Sequence, residues 1–501
     1  MDLLSNLSLG FATATSLENL FFCLIGVILG TLIGVLPGIG ATATIAMLLP
    51  ITFQLEPVSS LIMLAGIYYG AQYGGSTTAI LINMPGESSS AVTAIDGYQM
   101  ARRGKAGTAL AIAALGSFFA GTVATLLVAL FAPPLTAIAL KFGAAEYFSL
   151  MVLGLVSAIA LAHGSILKAL AMVVLGLILG LVGTDIYTGT PRFTFGITEY
   201  ADGLSFVALA VGVFGIAEIL RNLEGEQDRT VLGTKLGGLF PSRADLKRMV
   251  APMVRGTAIG SVLGILPGGG AVLASFASYT VEKRLSDTPE EFGKGAIAGV
   301  AGPESANNAG AQTSFIPLLT LGIPANPVMA LMVGAMIIQG VVPGPNVASE
   351  QPELFWGVIA SMWIGNLMLV VLNLPLIGLW VKLLKVPYHV LFPMIMAFCS
   401  IGVYSVNSNV YDLYAVAFFG LMGYALLKLR CEPAPLLLGF VLGPMLEENL
   451  RRAMILGRGD PSIFVSRPIS LTLLLLTVVV LVVMLLPAIR KKRDEVFVEA
   501  D

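Results

Sequence analysis

Charge is the scarcest feature of this sequence. Only 12% of its 501 residues are Asp, Glu, Lys or Arg, against 56% hydrophobic, and the mean hydropathy is +0.89. That balance excludes an ordinary soluble domain, in which about a quarter of the residues are charged. The formal net charge is −2 and no broad basic, aromatic-studded region exists, which argues against a nucleic-acid partner. Cys23, Cys399 and Cys431 lie far apart in or beside apolar runs, without metal-ligand spacing, and read as packing residues. His163 and His389, 226 residues apart, form no metal pair. H-E-x-x-H and G-x-S-x-G are absent, and Gly104-Lys105 and Gly293-Lys294 lack the Ser/Thr of a phosphate loop. These absences disfavour an intramembrane enzyme and an ATP-driven pump, and no cofactor is expected. The first twenty residues hold only Asp2 and Glu18 as charges, so no cleaved signal peptide is expected, and residues 1–15 read as a short interfacial or entry helix.

Long charge-free runs are plentiful. A spanning helix asks for ~20 apolar residues, and the runs predict an all-α polytopic membrane protein of about 10–12 spans. The organising stretch is GTLIGVLPGIGA at 30–41, which returns 230 positions later as GSVLGILPGGGA at 260–271, with seven of twelve positions identical. Each copy sits in a charge-free segment, 19–55 and 256–281, and each ends a helix at Pro-Gly-x-Gly, because proline supplies no N–H and glycine tolerates any backbone angle. A second pair of interruptions follows: Met84-Pro85-Gly86-Glu87 corresponds to Ile323-Pro324-Ala325-Asn326, now 239 positions apart, so about nine residues are inserted between the paired motifs. Two structural repeats with broken helices or helical hairpins are therefore expected, with the inverted arrangement favoured over the parallel one.

The divisions follow the charge. Residues 1–220 form the first repeat, 221–255 a linker with seven Lys/Arg against four Asp/Glu, 256–489 the second repeat and 490–501 a tail opening with Arg490-Lys491-Lys492-Arg493. By the positive-inside tendency linker and tail face the cytoplasm. Within the linker, DLKRMVAPMVRG reads either as an amphipathic piece on the inner membrane surface or as a solvated linker. A turn near a membrane face is expected at Pro133-Pro134, and an ion-paired polar loop where Asp96 neighbours Arg102, Arg103 and Lys105.

Several long stretches resemble a known family. LPGIGATATIAMLLP, IYYGAQYGGSTTAILINMPGESSSAVTAIDGYQMARRGKAG, GTDIYTGTPRFTFG and GVAGPESANNAGAQTSFIPLLTLGIP are similar to the large membrane subunit of tripartite tricarboxylate transporters, the TctA family. The resemblance implies a multi-pass subunit of a bacterial inner membrane. It further implies secondary transport of carboxylates, citrate-like di- or tricarboxylates among them, with a small TctB-like membrane subunit and a periplasmic TctC-like binding protein, by symport with Na⁺ or H⁺. One departure bears on substrate choice: Ala325-Asn326 stands where the family usually has a Gly-Ser pair.

Bottom-up chemistry points the same way. A carboxylate leaving water needs fixed donors, and broken helices offer free N–H groups at the positive end of the helix dipole. Gly38 and Gly40 with Gly268 and Gly270 would let backbone donors approach one anion. Thr42 and Thr44, Ser76, Thr77, Thr78 and Asn83, then Asn307, Asn308, Gln312, Thr313 and Asn326 would add neutral side-chain donors. Freed carbonyls near Pro37 and Pro267, with Asn307 or Asn308, would serve a coupling Na⁺, and Glu304 would serve a coupling proton. For any single Ser or Thr, close helix packing is the commoner role. As a set, paired breaks in both halves need a reason, because an unmet backbone group at membrane depth costs several kcal/mol. The competing functions are a passive anion channel and a carboxylate exporter.

Overall fold

The computed structural model describes residues 3–36, 40–162, 165–224, 241–266, 270–383 and 388–485. The first half runs α1 (Leu3–Ala14), α2 (Leu17–Gly34), α3 (Ala41–Thr52), α4 (Pro57–Ile82), α5 (Ala91–Met100), α6 (Ala106–Ala139), α7 (Ala144–Leu161) and α8 (Ile166–Gly180). After a two-stranded hairpin, β1 (Gly183–Thr184) and β2 (Pro191–Arg192), come α9 (Phe206–Ala210) and α10 (Ala217–Glu224). The second half opens with α11 (Arg243–Leu263), α12 (Gly270–Leu285), α13 (Ile297–Thr313), α14 (Phe315–Leu321), α15 (Pro327–Ile338) and α16 (Val347–Glu350). It closes with α17 (Pro352–Asn373), α18 (Ile377–Leu383), α19 (Tyr388–Asn407), α20 (Val410–Lys428), α21 (Ala434–Leu456), α22 (Ile463–Ser466) and α23 (Pro468–Leu485).

The protein is all-α and polytopic. Among the described residues five helical stretches are long and apolar enough to cross a membrane, Ser88–Ala139 and Pro352–Asn373 among them, while helices such as α3 and α15 are too short to cross alone. Large apolar side chains such as Phe131, Leu475 and Val479 face outward, as a lipid solvent allows.

Glycine seams hold each half together. A Cβ at Gly26, Gly30 or Gly34 of α2 would stand 2.3–2.5 Å from the carbonyl oxygens of Met63, Ile67 and Ala71 on α4. A Cβ at Gly256 or Gly260 of α11 would stand 2.1 and 2.3 Å from those of Gly302 and Ala306 on α13, and one at Gly264 would stand 2.5 Å from that of Gly310. Backbones this close are how apolar helices associate without a hydrophobic drive between them. The two seams keep the offsets of the sequence repeat, 230 on the first helix and 239 on its partner. The inserted residues fall between the end of α12 and the start of α13. The hairpin tips also correspond: Asn83 (φ 59°) ends α4 and Gly322 (φ 72°) ends α14, both in the left-handed region and 239 positions apart.

Local expectations meet mixed outcomes. The helix expected at the start is α1, and the first LPG interruption lies between α2 and α3, the second between α11 and α12. The turn expected at Pro133-Pro134 is absent: α6 continues through both prolines. They remove two N–H donors from the ladder, a loss that membrane helices absorb by local adjustment. DLKRMVAPMVRG is neither a separate surface helix nor a loop but part of continuous α11. Asp96 is not held by its sequence neighbours, since Arg102 and Arg103 are exposed. It is buried, accepting the N–H groups of Gly295 (2.7 Å) and Ala296 (2.8 Å) at the start of α13 and the Tyr279 hydroxyl (3.0 Å). A carboxylate of the first half thus caps a helix of the second. His163 lies outside the described residues, as does the tail.

Candidate functional site

Three helix starts meet around one cavity. Gly40 caps α3 in an extended conformation without a side-chain cap, which leaves the first N–H groups of α3 to other partners. Opposite, α12 begins at Gly270 with no acidic residue in its first turn. The third helix, α15, starts at Asn326-Pro327. Proline at the first position has no N–H to satisfy, and Asn326 Oδ1 accepts the Met329 N–H at 2.9 Å. Its Nδ2 remains as a donor, 3.5 Å from the Tyr68 hydroxyl. Between these ends lies a cavity of about 300 Å³ whose wall includes Thr42, Tyr68, Gln72, Glu87, Ala271 and Asn326. Helix N-termini carry partial positive charge and aimed N–H groups, which favour an anion, while Glu87, Glu218 and Glu432 in the same wall oppose one. Both halves contribute to it.

A second polar centre lies in the packed interior. Glu304 of α13 is fully buried and accepts from Ser76 Oγ of α4 (2.7 Å), Thr93 Oγ1 of α5 (2.9 Å), Ser117 Oγ of α6 (3.0 Å) and Asn308 Nδ2 one turn along α13 (3.1 Å). No Lys or Arg pairs with Glu304 among the described residues, and a void of about 10 Å³ adjoins it. A buried carboxylate without a fixed cation is costly unless it carries a proton or a bound ion, and oxygens from four helices are a ligand set for either. One residue earlier than Asn308, Asn307 is wholly buried with both side-chain polar atoms unpartnered. Such a group is rare in a native interior.

The residues singled out from sequence separate into groups. Thr42 and Asn326 line the cavity, and Gly40 and Gly270 stand at the starts of α3 and α12 beside its lining residues Thr42 and Ala271. Ser76, Thr77, Asn308 and Glu304 gather at the buried carboxylate centre instead. Thr78 and Thr313 are buried and donate back to Gly75 and Ala309, and Thr44 does the same to Gly40. Asn83 is exposed at a hairpin tip, away from both centres. Gln312 accepts from Thr125 at 3.4 Å. Pro37, Gly38, Pro267 and Gly268 lie outside the described residues. Sequence reasoning missed Glu87, Gln72 and Tyr68 in the cavity and Thr93 and Ser117 beside Glu304. The signal for Glu87 was present, because the hairpin pairing sets it opposite Asn326.

Comparison with known proteins places the chain in a family. A family model described as "Tripartite tricarboxylate transporter TctA family" matches residues 20–438. A protein of Agrobacterium vitis described as "Uncharacterized 52.8 kDa protein in TAR-I ttuC' 3'region" is 68% identical over 501 residues, covering all of both chains. Another from the same organism, in the "TAR-II ttuC' 3'region", is 69% identical over 242 residues, all of that protein and 48% of this chain. No solved structure matches. With a family match over most of its length and a polytopic helical fold built around paired helix breaks, the chain belongs to the tripartite tricarboxylate transporter TctA family.

Proposed function

We propose that this protein is the large transmembrane subunit of a secondary transporter in a bacterial inner membrane. It imports a citrate-like di- or tricarboxylate delivered by a periplasmic binding protein, together with a small membrane subunit, by symport with Na⁺ or H⁺. The observation that carries this reading is the 300 Å³ cavity in which α3 and α12, starting beyond the two LPG breaks, meet Asn326. N–H groups freed there replace the water that a carboxylate loses. The coupling cation resides at Glu304 with its ring of hydroxyls, beside the unpartnered Asn307. Carbonyls near Pro37 and Pro267 are further oxygen donors for Na⁺ in this reading. Both centres draw on both halves, so relative movement of the halves changes them together.

Counterflow tests the reading. Proteoliposomes holding the membrane subunits and unlabelled citrate, with the binding protein added outside, should concentrate labelled external citrate transiently and with saturation. Asn326→Ala should lower that rate about tenfold, the worth of one hydrogen bond to a charged group. Gly270→Val should abolish it, with both variants present in the membrane. Unsaturable flux would move the protein to the channel class. Full counterflow in both variants would remove the cavity from the transport path.

A further inference from the structure

The anion cavity already contains a carboxylate. Glu87, at the tip following α4, accepts the N–H of Ala41 at the start of α3 through Oε1. A Cβ at Gly40 would stand 3.3 Å from that oxygen, and one at Gly75 only 3.4 Å from the Cβ and Cγ of Glu87. The side chain is therefore seated in a slot that two glycines keep open. At the repeat-related position stands Asn326, neutral, its oxygen spent on α15. Among the described residues no carboxylate lies upon the start of α12: the nearest side-chain atom to a Cβ at Gly270 is Asn326 Nδ2, at 4.0 Å. Of two equivalent helix ends, the protein's own carboxylate fills one and leaves the other open.

The rest of the lining makes this asymmetry consequential. Tyr68 of α4, Glu218 of α10 and Glu432 before α21 also face the cavity, and no Lys or Arg lines it among the described residues. On the neighbouring helices Asp96 of α5 is engaged with Tyr279 of α12 and Glu304 of α13 with Ser76 and Thr93, while Arg221 stands one turn along α10 from Glu218 and Lys283 and Arg284 are exposed at the far end of α12. A substrate with two or three charges entering beside Glu87 meets like charge, and among the described residues no Lys or Arg in the cavity wall stands by to offset it, in a setting where such charge is weakly screened.

We infer that Glu87 is a tethered stand-in for a substrate carboxylate, holding the α3 end while the cavity is empty and releasing it, on taking up a proton, when substrate binds. The step balances: a proton from solution joins the Glu87 carboxylate, the Ala41 N–H passes to the substrate, and the neutral Glu87 becomes a donor. This inference rests on the carboxylate reading of the cavity. It assigns Glu87 a role that the buried Glu304 centre does not share.

The test is calorimetry of citrate binding to the membrane complex in nanodiscs, in two buffers of different ionisation heat, at a pH high enough that both citrate and the Glu87 carboxyl of the empty protein are ionised. The wild type should take up about one proton per citrate, and its affinity should fall about tenfold per pH unit. Glu87→Gln should bind with no uptake and a flat pH profile, while Glu87→Asp, which keeps a titrating group, should retain the uptake. Binding by the wild type without proton uptake, or uptake undiminished in Glu87→Gln, overturns this inference and leaves the cavity reading standing. No citrate binding by the wild type overturns both.

Discussion

Asp185, a buried carboxylate outside the helices, shows how a single side chain fastens a loop of this protein. The residue sits in the hairpin loop between α8 and α9 and accepts the Tyr187 N–H at 2.8 Å. Arg451 from the far end of α21 pairs with it at 2.9 Å, stacks 5.2 Å from the Tyr187 ring and also reaches Glu447, which holds Arg192 at 2.8 Å. The backbone donor, then the Arg451 guanidinium, hold the Asp185 carboxyl down from the ordinary 3.8 to about 2. A carboxyl lowered in the folded state stabilises above its unfolded range, and that stabilisation is lost as pH falls through the folded value. Acidification from 3.8 toward about 2 should therefore loosen this loop before the helices melt. Arg451→Ala should loosen it at neutral pH. Hydrogen exchange of residues 183–205 reads both outcomes, and unchanged protection in Arg451→Ala would mean that the strand pairing alone holds the loop.

Helix pairs are built at a coarser grain, by absent side chains. At Gly30 and Gly260 a methyl group would come within 2.3 Å of the carbonyls of Ile67 and Ala306, whereas Gly378 has no atom within 4 Å of a new Cβ. Gly30→Ala and Gly260→Ala should each destabilise by roughly 1–3 kcal/mol through overpacking. Gly378→Ala should be neutral. Thermal melts of the solubilised protein check this, and equal midpoints for all three would remove the seams as the cause of pairing. Much at this scale was legible in the sequence, because a duplicated LPG and a duplicated hairpin tip are local patterns whose glycines and prolines act on their own backbone. The meeting of Gly40, Gly270 and Asn326 followed from that duplication. What stayed hidden came from distant parts of the chain: no spacing rule sets Ser117 and Thr93 against Glu304, or turns Asp96 away from Arg102 toward Ala296. Proline was over-read at Pro133, where membrane helices tolerate what soluble ones do not.

Taken as one body, the molecule has a face and a direction. The 183–205 loop and the C-terminal end of α21 are tied by Asp185–Arg451 on one side, and α9–α10 and α23 each lead away from it toward basic stretches. That side is periplasmic if the basic stretches are cytoplasmic. Inverted repeats then require the starts of α2 and α11 to face opposite compartments, so Ser16→Cys should react with an impermeant thiol reagent from outside and Ser242→Cys only after lysis. The native cysteines are buried and silent. Labelling of both from one side would make the repeats parallel. Direction also sets the energetics of import. A charge moved against the membrane potential costs ~2.3 kcal/mol per 100 mV, so a trianion entering a cell at ~100 mV, negative inside, faces roughly 7 kcal/mol before any concentration gradient. Uncoupled carriage would run outward. Inward accumulation therefore needs at least as many cations as the substrate has charges, and in the proposed reading the buried Glu304 holds one. Vesicles with the membrane subunits and binding protein should accumulate citrate under an imposed Na⁺ or proton gradient, and Glu304→Gln should lose accumulation while keeping counterflow. A rate indifferent to Na⁺ at fixed pH assigns the coupling to protons. Accumulation with neither gradient and no membrane potential would contradict coupling outright.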